Sequence, residues 1–387
     1  MVRKIRREDV KDIIEIMQSS KIDFPWGFYY NVKEFEEEEI WLRVRGSNEY
    51  PTMVAELEGK VIAYAKHHRH WDEKNNLYIE LLITHPEFRG KGAGRKLIEK
   101  CFEIAVEKDF EVLSLHTWPN NRAVNLYGRT GFCWMPNSWV YMINFSPQLF
   151  KYKKVKEFVK EPVNLVRYLT KPPEKIELNG HVAWRYIWMH EDEVVEAIFD
   201  SDTKSLLFIL VADDRIELNP PPNIYYVKDK EISFVVQTSR VMPIVLDKKP
   251  DLIEPGISKI LKTKAKKQIK LNIGDYQFGF GMKIRKPVEI VPKIRQHIGN
   301  KTVVDLFVVN NSEKNLEGSL LIETSGDVYV EPTKFDVKVE KNRYVRNRVM
   351  VEGFGKIDIR FLDSKTSLTI FNDEIVVADD ETIKSSY

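Results

Sequence analysis

At about Pro162 the chain changes its periodicity, and that change decides what it can fold into. Before it, runs with apolar residues at every second position alternate with runs spaced for a helix. Val2 to Arg6 reads as a short strand. EDVKDIIEIMQSS follows as a helix with Val10, Ile13, Ile14 and Met17 on one face, and KEFEEEEIWLRVRG reads as a second helix. TMVAELEGKVIAYAKHH reads as a hairpin turning at Glu58-Gly59-Lys60. LYIELLIT is the next strand, and RKLIEKCFEIAVEKD puts Leu97, Ile98, Cys101, Phe102 and Ala105 on one helical face. EVLSLHTW is a strand, NRAVNLYGRTG a short helix and WVYMINF a closing strand. This order predicts one α/β unit built on a mixed sheet.

At 387 residues the chain is too long for one ordinary core. Beyond Pro162 the alternating runs HVAWRYIWM, VVEAIFD, SLLFILVA, IYYVKD and EISFVVQT are bounded by Asp, Asn, Gly or Pro. After Lys286-Pro287 the pattern resumes with TVVDLFVVN, GSLLIETS, FDVKVEK, RYVRNRVMVEG, KIDIRFLD, SLTIFND and EIVVAD. Strands recurring roughly every 8–12 residues indicate β-sandwiches. VVNNSEKNLEGSLLIET, a strand, a polar turn and a strand, resembles an immunoglobulin-like domain in pattern, without the Cys–Trp–Cys framework of antibody domains. Only the basic stretch ISKILKTKAKKQIK keeps a helical periodicity. The expected fold is an α/β domain over residues 1–147 followed by an all-β half: a β-rich middle domain over 148–285 and a β-sandwich over 286–387.

Composition excludes several function classes. The net charge of +2 gives no global field for nucleic acid or an anionic membrane. No apolar run approaches the roughly 20 residues of a membrane span, and MVRKIRREDV has no apolar stretch behind its charges to make a secretory signal. Two cysteines, Cys101 and Cys133, make no disulfide framework, which points to a reducing cytoplasm.

HPEFRGKGAGRKLIEK sets three glycines within five residues, between an apolar strand and an amphipathic helix expected over 95–108. Bare backbone N–H groups, the helix N-terminus and the charges of Arg89, Lys91 and Arg95 suit a phosphate. A dinucleotide turn needs G-x-G-x-x-G, but counting from Gly90 ends on Arg95 and from Gly92 on Leu97. A P-loop needs Gly-Lys-Ser/Thr, and Gly94 is followed by Arg95-Lys96-Leu97.

PEFRGKGAG resembles the pyrophosphate loop of the GNAT acyltransferases, Gln/Arg-x-x-Gly-x-Gly/Ala, at Arg89, Gly92 and Gly94. NNRAVNLYGRTGF resembles the second motif of that family at Asn120, Ala123, Leu126-Tyr127 and Gly131-Phe132. The motifs stand in the family's order about thirty residues apart, and the resemblance covers about residues 1–145. It implies acetyl-CoA as co-substrate, lying in a splay between LYIELLIT and EVLSLHTW. Leu82, Ile83 and Thr84 would pair with the pantetheine arm, and Arg89, Gly90, Lys91, Gly92, Ala93, Gly94 and Arg95 would hold the pyrophosphate. Asn120 and Tyr127 complete the implied cofactor contacts, with Asn121 an alternative to Asn120 because the loop is about one residue short.

The implied reaction moves an acetyl group to a primary amine on a protein N-terminus, a lysine or a small molecule. Tyr127 stands at the family's position for the general acid. Glu80 is the candidate base, a carboxylate in an apolar strand that by alternation shares a face with Tyr78, Leu82 and Thr84. Tyr78 and His116 form a second candidate pair. Gly128 departs from the charged residue usual after the Tyr and weakens its helix by up to about 1 kcal/mol. The alternative is an acyl-CoA-binding sensor without turnover, with the β-rich half recognising a partner.

Other clusters read more plainly. His68 and His70 share a strand face but lack the four converging ligands of a structural metal site, so HHRHW reads as a hairpin end beside the acceptor entrance. MHEDE reads as a solvated turn, and KILKTKAKKQIK as a solvated face of a helix or a strand. FPWGFYY, Phe24 to Tyr30, reads as an aromatic wall of the acceptor site or as core.

Overall fold

The computed structural model describes residues 1–20, 36–225, 230–298, 301–312, 314–353, 355–364, 369–379 and 382–385. FPWGFYY lies outside them. The chain divides into two compact units, one made of 1–221, 233–262 and 268–281, the other of 222–232, 263–267 and 282–387. Among the described residues no helix is long and apolar enough to cross a membrane.

The first unit begins with β1 (Val2–Lys4), α1 (Val10–Ser19), α2 (Glu37–Val44), β2 (Met53–Leu57), β3 (Lys60–Arg69) and β4 (Asn76–Thr84). It continues through α3 (Ala93–Glu107), β5 (Val112–His116), α4 (Val124–Arg129), β6 (Cys133–Trp134) and β7 (Tyr141–Asn144). The sheet order is β1-β2-β3-β4-β5-β7-β6, with β4 and β5 parallel and the other neighbours antiparallel. The sheet is therefore mixed. On one face Ile13 and Ile16 of α1 and Ile40 of α2 bury Val54, Tyr64, Leu81 and Ile83. The apolar spacing that predicts α3 also buries it: Leu97, Ile98, Cys101, Phe102 and Ala105 are all covered.

The rest of this unit is built of strands. Two short helices, α5 (Lys153–Val159) and α6 (Asn164–Arg167), lead into β8 (Glu174–Leu178), β9 (His181–His190), β10 (Glu193–Asp200), β11 (Leu206–Val211) and β12 (Asp214–Asn219). β8 to β11 run side by side, and β11 pairs in parallel with Tyr276–Gly281. Within MHEDE, Glu191 and Asp192 form the turn that closes the β9–β10 hairpin, while Met189, His190 and Glu193 belong to its strands. The basic stretch is not helical. Lys259–Lys264 and Gln268–Ile273 are strands with every second residue exposed, so period two prevails where β-branched Ile260, Thr263, Ile269 and Ile273 favour the pleat.

The β-rich part shares a core with the α/β part. Phe145, just past β7, stacks on Phe199 of β10 at 5.6 Å between ring centres. The buried Tyr186 hydroxyl on β9 donates to Gly131 O at 2.8 Å and accepts from Phe145 N at 3.3 Å. In the second unit two antiparallel sheets enclose Ile290, Leu306, Leu320, Val349, Ile359 and Phe361. That is a β-sandwich, formed from inward-facing residues at period two.

Candidate functional site

The geometry starts with two strands that part. β4 and β5 pair from Asn76↔Val112 to Ile79↔Leu115. β4 then continues to Thr84, with β3 on one side and, among the described residues, no strand on the other. A cleft of about 770 Å³ opens there, lined by Leu82, Ile83 and Thr84 on one side and by Leu115, His116 and Tyr127 on the other.

At the outer end of β4 the chain makes a turn of 3-10 helix, Pro86–Phe88, and enters α3 at Gly92. Gly90 and Gly92 hold φ of 76° and 84°, which glycine adopts at no steric cost. A Cβ at either would meet nothing within 4 Å, so the turn presents bare backbone to open space. Gly94 is different. A Cβ there would stand 3.3 Å from Leu126 Cδ2, so this glycine lets the start of α3 approach α4. Helix α3 begins two residues before the expected start, which sets its unpaired first N–H groups within the glycine turn.

The cleft lining includes Arg89, Arg95, Arg122 and Arg129 against one carboxylate, Glu80. Such a lining, with a glycine turn at a helix N-terminus, fits a polyphosphate ester with an arm long enough to reach the strand gap. Gly90, Gly92, Ala93, Gly94 and Asn120 also line it. Lys91 does not; its Nζ lies 4.8 Å over the Phe88 ring. Asn121 accepts from Ala123 N and donates to Thr117 Oγ1, both at 2.9 Å, fixing the turn before α4. Arg122 and Arg129 were not singled out from the sequence, although both flank the LYG motif.

Glu80 occupies an irregularity. Cross-strand partners run Tyr64↔Ile83, Ala65↔Leu82 and Lys66↔Leu81, then jump to His67↔Ile79 and His68↔Tyr78. Glu80 is the extra residue of a β-bulge. Directly opposed residues share a face, so Tyr78 lies on the face of Lys66, His68 and Leu81. Leu82 and Thr84 take the other. Strict alternation had put Tyr78, Glu80, Leu82 and Thr84 together, and the bulge corrects that. It also aims Glu80 at Lys66, whose Nζ bonds the two carboxylate oxygens at 3.0 and 2.9 Å.

Tyr78 meets His116 across the parallel pair, Oη to Nδ1 at 3.1 Å. Burial pushes the His116 pKa below the ordinary imidazole value of 6.5, with the charge of His70 acting the same way, so the ring is neutral at pH 7. His68 and His70 ring centres lie 5.3 and 5.7 Å from that of Tyr78, and exposed Trp71 is 5.2 Å from it. The end of the β3–β4 hairpin thus stands beside this pair. Tyr127 is 5% exposed, and burial alone pushes its phenol well above its usual pKa, which keeps the proton on. A Cβ on Gly128 would stand 3.5 Å from Pro172 Cβ, so the helix is covered there by the segment ahead of β8 rather than loosened.

Comparison with known proteins places this geometry. Residues 12–132 match the Acetyltransferase (GNAT) family. An uncharacterised N-acetyltransferase of Archaeoglobus fulgidus is 28% identical over 131 residues, covering 33% of this chain and 88% of that protein. Mouse thialysine N-epsilon-acetyltransferase is 31% identical over 146 residues, covering 33% of this chain and 79% of that one. The crystal structure of the PaiA N-acetyltransferase of Thermoplasma acidophilum in complex with coenzyme A matches with a TM-score of 0.28 and 21% identity, over 38% of this chain and 98% of the other. Each match covers about a third of this chain.

Proposed function

The chain belongs to the GNAT family of acetyltransferases through its N-terminal third, and we propose on that footing that it transfers an acetyl group from acetyl-CoA to a primary amine. The observation that carries this reading is the parting of β4 and β5 at Ile79 and Leu115, with the glycine turn and Tyr127 opening on the same gap. The acceptor is an α-amine, a lysine or a small amine.

The pantetheine arm lies along Leu82, Ile83 and Thr84 as an added strand. A backbone N–H there faces the thioester oxygen as negative charge develops on it. The pyrophosphate rests on Arg89 to Arg95, with Asn120 at the far wall. The amine nitrogen attacks the thioester carbon, and the carbon–sulfur bond breaks. Glu80, directly or through one water, takes the amine proton, and the Tyr127 phenol gives its proton to the departing thiolate. Lys66 holds the Glu80 carboxylate through both of its oxygens and keeps it charged to accept that proton. A second reading, in which Tyr78 and His116 relay the proton, is favoured by their 3.1 Å contact.

The β-rich half, which we divide at about residues 148–285 and 286–387, serves substrate or partner recognition. Buried, unpaired Cys101 and Cys133 suit a reducing cytoplasm. The test is a thermal melt with CoA and acetyl-CoA beside NADH and ATP, then a screen of amine acceptors. Stabilisation by the CoA pair alone, with thiol released on adding an amine, is expected. Binding without release from any amine, and no effect of Tyr127→Phe, would instead indicate a sensor.

A further inference from the structure

The cofactor turn is tied to a residue outside the α/β domain. Glu99 lies one helical turn beyond Arg95 on α3 and is 9% exposed. Its Oε1 accepts from Arg95 Nε at 3.1 Å, and its Oε2 accepts from Arg167 Nη2 at 3.0 Å. Arg95 lines the cleft, whereas Arg167 ends α6, beyond the last strand of the α/β sheet. Two guanidinium groups therefore share one carboxylate directly behind the phosphate-binding turn.

The position of Arg167 is set by the β-rich part. Trp188 Nε1 on β9 donates to Leu165 O at 2.7 Å. Met189 N donates to Tyr168 O and Thr170 N to Ile187 O, each at 3.0 Å, and Tyr168 stacks on His190 at 4.1 Å. The same segment goes on to cover Gly128 with Pro172. It thus braces both α3 and α4, the two helices that flank the cleft.

We infer that Arg167 is a positioning residue for the pyrophosphate of acetyl-CoA, acting through Glu99 on Arg95. The inference rests on the acetyl-CoA reading above. With Arg167 in place the triad carries a net positive charge, and among the described residues Arg95 bonds Glu99 through Nε, while its side chain lines the cleft. Without Arg167 the carboxylate is balanced by Arg95 alone. The triad becomes neutral, and Glu99 claims more of the guanidinium that should serve the phosphate. Substituting Glu99 as well removes the charge that Arg167 offsets, so the two positions are coupled.

The experiment measures CoA affinity by calorimetry on the full chain as Arg167→Ala, Arg167→Lys, Glu99→Gln and Arg167→Ala with Glu99→Gln. Turnover at saturating acetyl-CoA is measured beside it. Arg167→Ala is expected to raise the Kd about tenfold, the range of ordinary site coupling, with kcat within about twofold of the parent. Arg167→Lys should recover most of the affinity. In the Glu99→Gln background Arg167→Ala should change Kd by less than about threefold. An equal loss in both backgrounds, a fall in kcat matching the fall in affinity, or unchanged affinity in Arg167→Ala overturns the inference while leaving the acetyltransferase reading intact. A parent chain that binds no CoA overturns both.

Discussion

Tyr78 Oη stands 3.1 Å from Nδ1 of His116, one residue beyond the last pairing of β5 with β4. This pair and Glu80, aimed by its bulge at Lys66, are two routes for the amine proton, and they separate on substitution. Glu80→Gln is expected to lower kcat about a hundredfold or more, and His116→Ala by less than about tenfold. Because burial lowers the His116 pKa, its ring stays neutral down to below 6.5. A proton relay through His116 would therefore lose activity only below that pH. The reverse order of effects, with an acid limb that His116→Ala abolishes, would move the base to the Tyr78–His116 pair.

Tyr127 gives a cleaner case, since nothing but burial shifts its phenol upward. Tyr127→Phe keeps the ring that packs at 6.0 Å from Phe132 and loses only the proton. Turnover should drop about a hundredfold with the Kd for acetyl-CoA nearly unchanged. A matching rise in Kd would show that the hydroxyl holds the arm rather than donating to sulfur.

Gly92 tests the turn. Its φ of 84° is strained for any L side chain, although nothing lies within 4 Å of the added Cβ. Gly92→Val is expected to cost about 1–2 kcal/mol of stability and to weaken CoA binding more than it lowers the melting temperature of the free protein. Unaltered CoA affinity would place the phosphate elsewhere.

His67 predicts acid sensitivity. It is 1% exposed on β3, and burial holds its pKa at about 4 against 6.5. The unfolded ring takes a proton below 6.5, and the folded ring only near 4. Stability is thus fully present above 6.5 and lost as pH falls between these values, by about 3 kcal/mol in all. Urea melts of the parent and of His67→Phe near pH 7.5 and near pH 4.5 check this. The variant should gain about 2 kcal/mol on the parent at the lower pH; parallel losses would clear His67.

The parts legible in the sequence were those written in local spacing. Gly90, Gly92 and Gly94 announce a bare turn, Leu97 to Ala105 a buried helical face, and the runs after Pro162 a set of strands. Glu80 could be marked as an odd carboxylate in an apolar strand, but not aimed. Its bulge depends on where β4 slips against β3, a non-local choice between Lys66 and His67. The basic run Lys259–Lys270 misled because lysines at mixed spacing imitate a helical face, while pairing with neighbouring strands decided the outcome. Arg167 gave no signal at all, since its meaning comes from Glu99, far away along the chain.

The hydroxyl of Tyr186, closed between Gly131 O and Phe145 N, has a consequence for where the chain can be cut. Both groups sit at the end of the α/β fold, beside Phe145, whose ring is covered by Phe199; taking the strands away would hand the two polar groups to water and uncover that ring. A transferase third cut at β7 would therefore carry an apolar seam at Phe145 that any new neighbour would have to cover.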